Sequence, residues 1–304
     1  MMIGHKLPDG PWPVMLTPFN GEGAIDTEVL ERYTKWLIDG QSAGLFAVAL
    51  TGEMFDLNEE ERLSAIRVVV DAAGKKVPVA AAVPAAGSTG QSLQQILRVR
   101  EAGADIVVLV VSSILRPEQP DQDLIDLVDE ALMVDTCLTL GIYECPLPYH
   151  RLLKLETIET LGSTGRVCFF KETSHDLEMM ADRVVAGKGA LQVFNAGIEN
   201  YAESLEKGVS GLSGWVVSVA PDLVEKLTGM VRENGLTEEA IALQQLLIEI
   251  EHQMGSTYPS SAKMLVEKRA GIGFRADSRW NGNVVVPDNL INDLIRIVNQ
   301  AERL

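Results

Sequence analysis

The sequence predicts an α/β protein of the (β/α)8 TIM-barrel class with a C-terminal helical extension. Three observations lead there. Short apolar runs alternate with amphipathic stretches eight times before about residue 219, at a spacing of roughly 20 to 35 residues, the signature of parallel βαβ units. The fourth run, 105–111, is apolar at successive positions, as a parallel strand covered on both faces must be. Beyond it, from residue 221, only helical periodicity remains. We therefore read residues 1–220 as the barrel and 221–304 as the extension. An open doubly wound sheet is the rival arrangement, but its G-x-G-x-x-G after the first strand is missing.

Taken in order, residues 13–17 read as strand one, closed by Pro18, Asn20 and Gly21. Asp26 caps a helix whose Val29, Leu30, Tyr33 and Leu37 make one apolar stripe, and Gly40 ends it. Strand two, 45–50, runs into Thr51-Gly52-Glu53. Asn58 caps the next helix, with Leu63, Ile66 and Val70 inward. Strand three is 77–83, and Ser88 with Gln91 forms a capping box before Leu93, Ile96 and Leu97. A helix around Leu124, Leu127 and Ala131 follows strand four. Strand five, 137–143, ends in Tyr143-Glu144-Cys145-Pro146. Strand six is the run 167–174, VCFFKETS. A helix over 176–186, a strand over 191–194, a helix over 199–206 and a glycine-rich strand over 208–214 complete the series. Helices over 223–231, 238–251 and 259–269 follow, with a stripe at Leu243, Leu246, Leu247 and Ile250.

Composition excludes several functions. The net charge of -17 and sequence pI of about 4.7 argue against nucleic acid, because phosphate binding needs a basic face. No apolar run is long enough to span a membrane, and residues 1–10 lack the apolar segment of a secretory signal. Cys137, Cys145 and Cys168 are odd in number and show no C-x-x-C spacing, which points to a reducing compartment. The expected location is the cytoplasm. The four histidines (His5, His150, His175 and His252) show no ligand spacing, so no metal is expected. Ser112 and Ser113 lack the G-x-S-x-G context of a serine nucleophile.

In such barrels the site lies at the C-terminal ends of the strands. Strand alternation puts Val167, Phe169 and Lys171 on one face, with Cys168 and Phe170 on the other. A lysine at the last inward position of a buried strand sits where its charged form is disfavoured, and the freed amine is a nucleophile toward carbonyl carbon. For a lone lysine, reaching solvent is the ordinary reading. Tyr143 ends the neighbouring strand, so phenol and amine should meet at one rim, where a phenol can shuttle the protons of carbinolamine chemistry. Thr51-Gly52 offers a hydroxyl and backbone N–H groups suited to a carboxylate, although a plain turn has the same sequence. Ser213 and Gly214 sit at the end of strand eight.

These residues resemble the dihydrodipicolinate synthase / N-acetylneuraminate lyase family in order and spacing. The resemblance rests on Thr51-Gly52-Glu53 with Leu57 and Glu60-Glu61-Arg62, on Tyr143-x-x-Pro146, Lys171-Glu172 and Gly208-x-x-Gly211, and on Pro259-x-x-x-Lys263 with Gly271. It covers nearly the whole chain. It implies class I aldolase-type chemistry in which Lys171 forms a Schiff base with pyruvate or another 2-oxo acid. Tyr143 would relay protons, Thr51 would hold the carboxylate, and the backbone carbonyl at Ser213 would face the site. It implies no cofactor, and assembly as a homo-oligomer, a dimer or tetramer.

Three departures stand out. Leu50 replaces the Ser or Thr expected before the threonine. Ile114 stands where synthases carry a tyrosine that enters the neighbouring subunit's site. Pro148 takes the place of a carboxylate-binding arginine, leaving Arg151 as the nearest cation. The expected function is a Schiff-base lyase or aldolase, with true synthase activity disfavoured. A 2-oxo-3-deoxy sugar-acid aldolase or dehydratase is the alternative, and a non-catalytic 2-oxo acid binding or regulatory protein is the alternative of another class. An aldehyde is the expected second partner.

Overall fold

The structure is a computed structural model that describes residues 6–84, 87–282 and 284–304; His5 lies outside them. Eight parallel strands form one sheet in the order β1-β8-β7-β6-β5-β4-β3-β2. They are β1 (Gly10–Pro11), β2 (Leu45–Ala47), β3 (Val79–Val83), β4 (Ile106–Val110), β5 (Leu140–Tyr143), β6 (Val167–Glu172), β7 (Gln192–Asn195) and β8 (Gly211–Leu212). The ring closes between the first and second strands through a parallel bridge, Val14 to Phe46. There Met15 donates to the Phe46 carbonyl at 3.0 Å and Phe46 to that of Pro13 at 2.9 Å.

Strand one departs from its expected span of 13–17, and proline explains why. Gly10 and Trp12 donate toward β8, at 2.9 and 2.8 Å, whereas Pro11 and Pro13 face the β2 side and have no N–H to give. That side is therefore joined mainly through the proline carbonyls, which accept from Ala43 and Phe46.

The helices are α1 (Thr27–Asp39), α2 (Glu59–Ala73), α3 (Thr89–Glu101), a single turn α4 (Val111–Ile114), α5 (Gln122–Val134), α6 (Leu155–Ser163), α7 (Leu177–Ala186) and α8 (Tyr201–Glu206). After them come α9 (Pro221–Asn234), α10 (Glu238–Met254), α11 (Ser260–Ala270) and α12 (Asp288–Arg303). The expected caps are present. Asp26 accepts from Val29, and Asn58–Glu61 and Ser88–Gln91 form complete capping boxes. Helix α6 was not expected: it has no capping side chain of its own, and its start is held from a distance. Asp121 accepts from the Lys154 N–H at 3.0 Å and the Thr157 hydroxyl at 2.8 Å. Helix α12 was likewise not expected; Pro287 rather than a capping side chain precedes it.

Aromatic rings fill the barrel interior. Phe169 lies 4.7 Å from Phe194, 5.2 Å from Trp12 and 5.5 Å from Phe46, ring centre to ring centre. All four are fully buried, and together they form a dry floor one layer below the C-terminal rim.

Candidate active site

Two neighbouring strand ends carry the chemistry. Tyr143 and Lys171 are direct partners in the β5–β6 ladder, so both side chains point inward at the same level. A register shift between Leu140 and Gly141 leaves Cys168 out of the pairing, and Phe169 lands inward, below Lys171. The next residues on each strand, Glu144 and Glu172, point the other way and meet Arg183 of α7. Arg183 donates to both Glu144 oxygens at 3.0 Å and contacts Glu172, and all three side chains are buried. Burial raises the Glu144 carboxyl to about 7, against the pull of Arg183. This triad clamps the two strand ends from behind and fixes the position of the residues in front.

The Lys171 amine sits 4.6 Å from the centre of the Tyr143 ring and 5.8 Å from that of Phe46. It has no carboxylate partner within 4.0 Å among the described residues. Burial lowers its pKa to about 8, only weakly opposed by Cys145 and Glu251. At pH 7 about a tenth of the amine is therefore unprotonated, against fewer than about one in a thousand for an ordinary lysine. Burial also holds the Tyr143 phenol well above its usual range, so it stays a proton donor. The Cys145 thiol lies beside that phenol.

Above the pair opens a cavity of about 570 Å³, walled by Leu50, Trp215, Glu251, Glu199 and His252 among others. His150 and His175 stand exposed at its mouth, where His150 Nε2 lies 2.8 Å from the Thr173 hydroxyl. No group of three potential metal ligands occurs among the described residues.

The other expected residues divide. Thr51 is buried on the short 3₁₀ turn after β2, behind Leu50, which does reach the cavity. Gly52 is packed against the segment that follows β1: its carbonyl accepts from Thr17 at 2.7 Å, and a Cβ would lie 2.9 Å from the Met15 carbonyl. Ser213 is buried just past β8, its N–H bound to the Asn195 carbonyl at 2.7 Å and its hydroxyl unpartnered. Ser112 donates to the Leu147 carbonyl at 2.6 Å. Ser113 and Ile114 turn to a different cavity, beside α3 and α5. Arg151 is committed to the Gln119 carbonyl at 2.6 Å and to Asp121 at 2.7 Å.

Sequence reading missed the contribution of the helical extension. Glu251 on α10 reaches the cavity, accepts from Val216 N–H at 2.8 Å, and is pushed up to about 8 by burial. It follows Gln244 and Leu247 at helical spacing on a buried stripe, an odd place for a carboxylate, and that was the available signal. Tyr258 stacks on Trp215 with ring centres 4.2 Å apart. Glu53, third residue of the turn, faces away: it binds Lys263 at 2.6 Å, and its other oxygen accepts from Ser278 and from the N–H groups of Arg279 and Trp280.

Comparison with known proteins matches residues 8–273 to the Dihydrodipicolinate synthetase family. A 4-hydroxy-tetrahydrodipicolinate synthase from Saccharophagus degradans is 24% identical over 245 residues, covering 81% of this chain and 82% of its own. The sialic acid aldolase of Ruminococcus gnavus superposes with a TM-score of 0.87 at 19% identity, over 98% of this chain and 99% of that one. A prophage protein of the dihydrodipicolinic acid synthase family from E. coli K12, solved in complex with pyruvate, gives 0.81 at 19% identity, over 97% and 98%.

Proposed function

The chain belongs to the dihydrodipicolinate synthetase family, and from that premise we propose a lyase that works through a Lys171 Schiff base with pyruvate or a related 2-oxo acid. The observation that carries the reading is the buried, unpaired amine beside the Tyr143 ring. The neutral amine attacks the keto carbon, and Tyr143 gives its proton to the oxygen, forming a carbinolamine. That hydroxyl leaves as water once it takes a second proton, and the protonated imine remains. For carbon–carbon cleavage the imine then accepts the electron pair of the breaking bond, becoming an enamine. For dehydration it accepts the pair of a carbon–hydrogen bond at C3, and the enamine expels the hydroxyl from C4, which leaves with its own bonding pair and a proton as water. Thr51 and the Gly52 N–H are assigned to the 2-oxo acid carboxylate, and the Ser213 carbonyl to the face of the imine. No cofactor enters these steps.

Incubation with pyruvate and borohydride should fix the reduced adduct on Lys171, read by peptide mass; an unmodified Lys171 would overturn the proposal. Turnover that vanishes in Lys171→Ala would dismiss the purely binding alternative.

The cavity wall supports a hydroxylated rather than a carboxylated second substrate, so an aldolase or dehydratase of 2-oxo-3-deoxy sugar acids is favoured over the synthase. Glu251, Glu199 and His252 line the wall, whereas Arg151 is occupied elsewhere. Assay of pyruvate with semialdehyde against 2-oxo-3-deoxy sugar acids separates the two. No helix of the described residues is long and apolar enough to cross a membrane. We place the protein in the cytoplasm as a dimer or tetramer, which fractionation and light scattering test.

A further inference from the structure

Trp215 takes no part in the steps above, yet it is held firmly at the cavity. From Gly211 to Pro221 every other residue is buried, and Trp215 alone is left partly uncovered. Tyr258, itself buried, lies parallel to one face of the indole, the planes 7° apart and the ring centres 4.2 Å. The rest of the ring lines the cavity. The backbone around it is fixed as well. The Trp215 carbonyl accepts from the Ser218 N–H at 3.1 Å, and the Val216 N–H donates to Glu251 at 2.8 Å. Gly214 lets the chain press onto the end of β7, since a Cβ there would stand 2.6 Å from the Ala196 carbonyl. A large apolar ring left partly wet forgoes burial, and a ligand resting on it would restore that burial.

Strand order divides the cavity mouth into two arcs. Leu50 follows β2 and Trp215 follows β8, the strands on either side of β1. His150, His175 and Glu199 follow β5, β6 and β7. The second arc is polar: Glu199 lies 3.5 Å from His252, and His150 is 2.8 Å from the Thr173 hydroxyl. The first is apolar, and Leu50 extends it with methyl groups where the family resemblance leads one to expect a hydroxyl.

We propose that Trp215 is the platform for the carbon chain of the second substrate, and that with Leu50 it selects a 2-oxo-3-deoxy acid whose far end is a methyl rather than a hydroxymethyl group. The hydroxyls nearer the reacting carbon face Glu199 and His252. This proposal rests on the Schiff-base reading above and narrows its substrate class. A hydroxyl set against the indole and Leu50 loses water and gains little in return, whereas a methyl group gains contact. Apolar walls reject an added hydroxyl by no more than roughly a hundredfold, so the discrimination is modest.

The test compares turnover of two six-carbon 2-oxo-3-deoxy acids, one ending in methyl and one in hydroxymethyl. Each is supplied as the mixture of C4 and C5 epimers and followed by its loss, so that cleavage and dehydration both register. The unsubstituted protein should favour the methyl-ended acid about tenfold in kcat/KM. Trp215→Gln should bring the ratio to about one, and Trp215→Phe, which keeps an apolar ring on Tyr258, should retain most of the preference. Borohydride trapping of pyruvate on the same samples should match throughout, which also shows that the variants are folded; Trp215→Ala is read in place of a Trp215→Gln that does not trap. Trp36→Phe serves as control, because Trp36 lies on α1 and packs against the core away from the cavity. It should keep the tenfold ratio. Turnover of neither acid, no preference in the unsubstituted protein, an undiminished one in Trp215→Gln, or equal loss in Trp36→Phe would overturn the platform while leaving the Schiff base standing. Failure of the unsubstituted protein to trap pyruvate would overturn both.

Discussion

Two buried lysines sit close to opposite ends of this structure's range of roles. Lys263 is fully buried and paired: Glu53 lies 2.6 Å away and the Asp277 carbonyl also 2.6 Å. Lys171 is 4% exposed and unpaired, with aromatic rings around its amine. Burial lowers both pKa values, but at Lys263 the Glu53 carboxylate opposes the shift, and the nitrogen is held by two fixed acceptors. Burial alone therefore does not make a lysine reactive. The absence of a partner does, because only then is the lone pair free for carbon.

Exchanging each lysine for methionine should break this contrast in opposite directions. Lys263→Met strands the Glu53 carboxylate and should destabilise the fold by about 3–5 kcal/mol, measured by denaturant unfolding. Lys171→Met should abolish trapping and stabilise the protein by about 3 kcal/mol at pH 7. The sign follows from the lowered pKa. Between about 8 and 10.5 the unfolded chain binds a proton that the folded one does not, so stability rises with pH across that window. The gain from Lys171→Met should thus shrink above pH 8 and vanish by 10.5; a pH-independent gain would mean the amine is not desolvated.

Next in size, Tyr143→Phe keeps the ring beside the amine but removes the acid. Turnover should fall by about 10²-fold with little change in KM; near-normal turnover would shift the proton to Cys145 or water. The smallest effect belongs to the wall. Glu251→Ala should raise the KM for a hydroxylated second substrate about tenfold, the loss of roughly one hydrogen bond, and leave pyruvate trapping intact.

Much of the frame was readable because its signals are local. Asp26, Asn58 and Ser88 cap helices from the next residue, and VCFFK ends a strand in a lysine whatever else the chain does. The inward pairing of Tyr143 with Lys171 followed from two neighbouring strands and a period of two. What was hidden came from far along the chain. The start of helix α6 is held by Asp121, more than thirty residues earlier. Glu251 and Trp215 enter the site from segments whose own periodicity describes only how they pack. Gly52 fitted a carboxylate cradle in sequence, and its packing against Met15 and Thr17 became visible only with the first strand in place.

The tie at Glu53 sets an order on biosynthesis. The turn bearing Thr51 leaves the ribosome more than two hundred residues ahead of Lys263, Ser278, Arg279 and Trp280, which hold it. Until Lys263 emerges, a nascent barrel keeps the Glu53 carboxylate without its paired ammonium. Competence for chemistry is thereby delayed until Lys263 and the 278–280 segment are made, and fragments that stop before Lys263 should be inert.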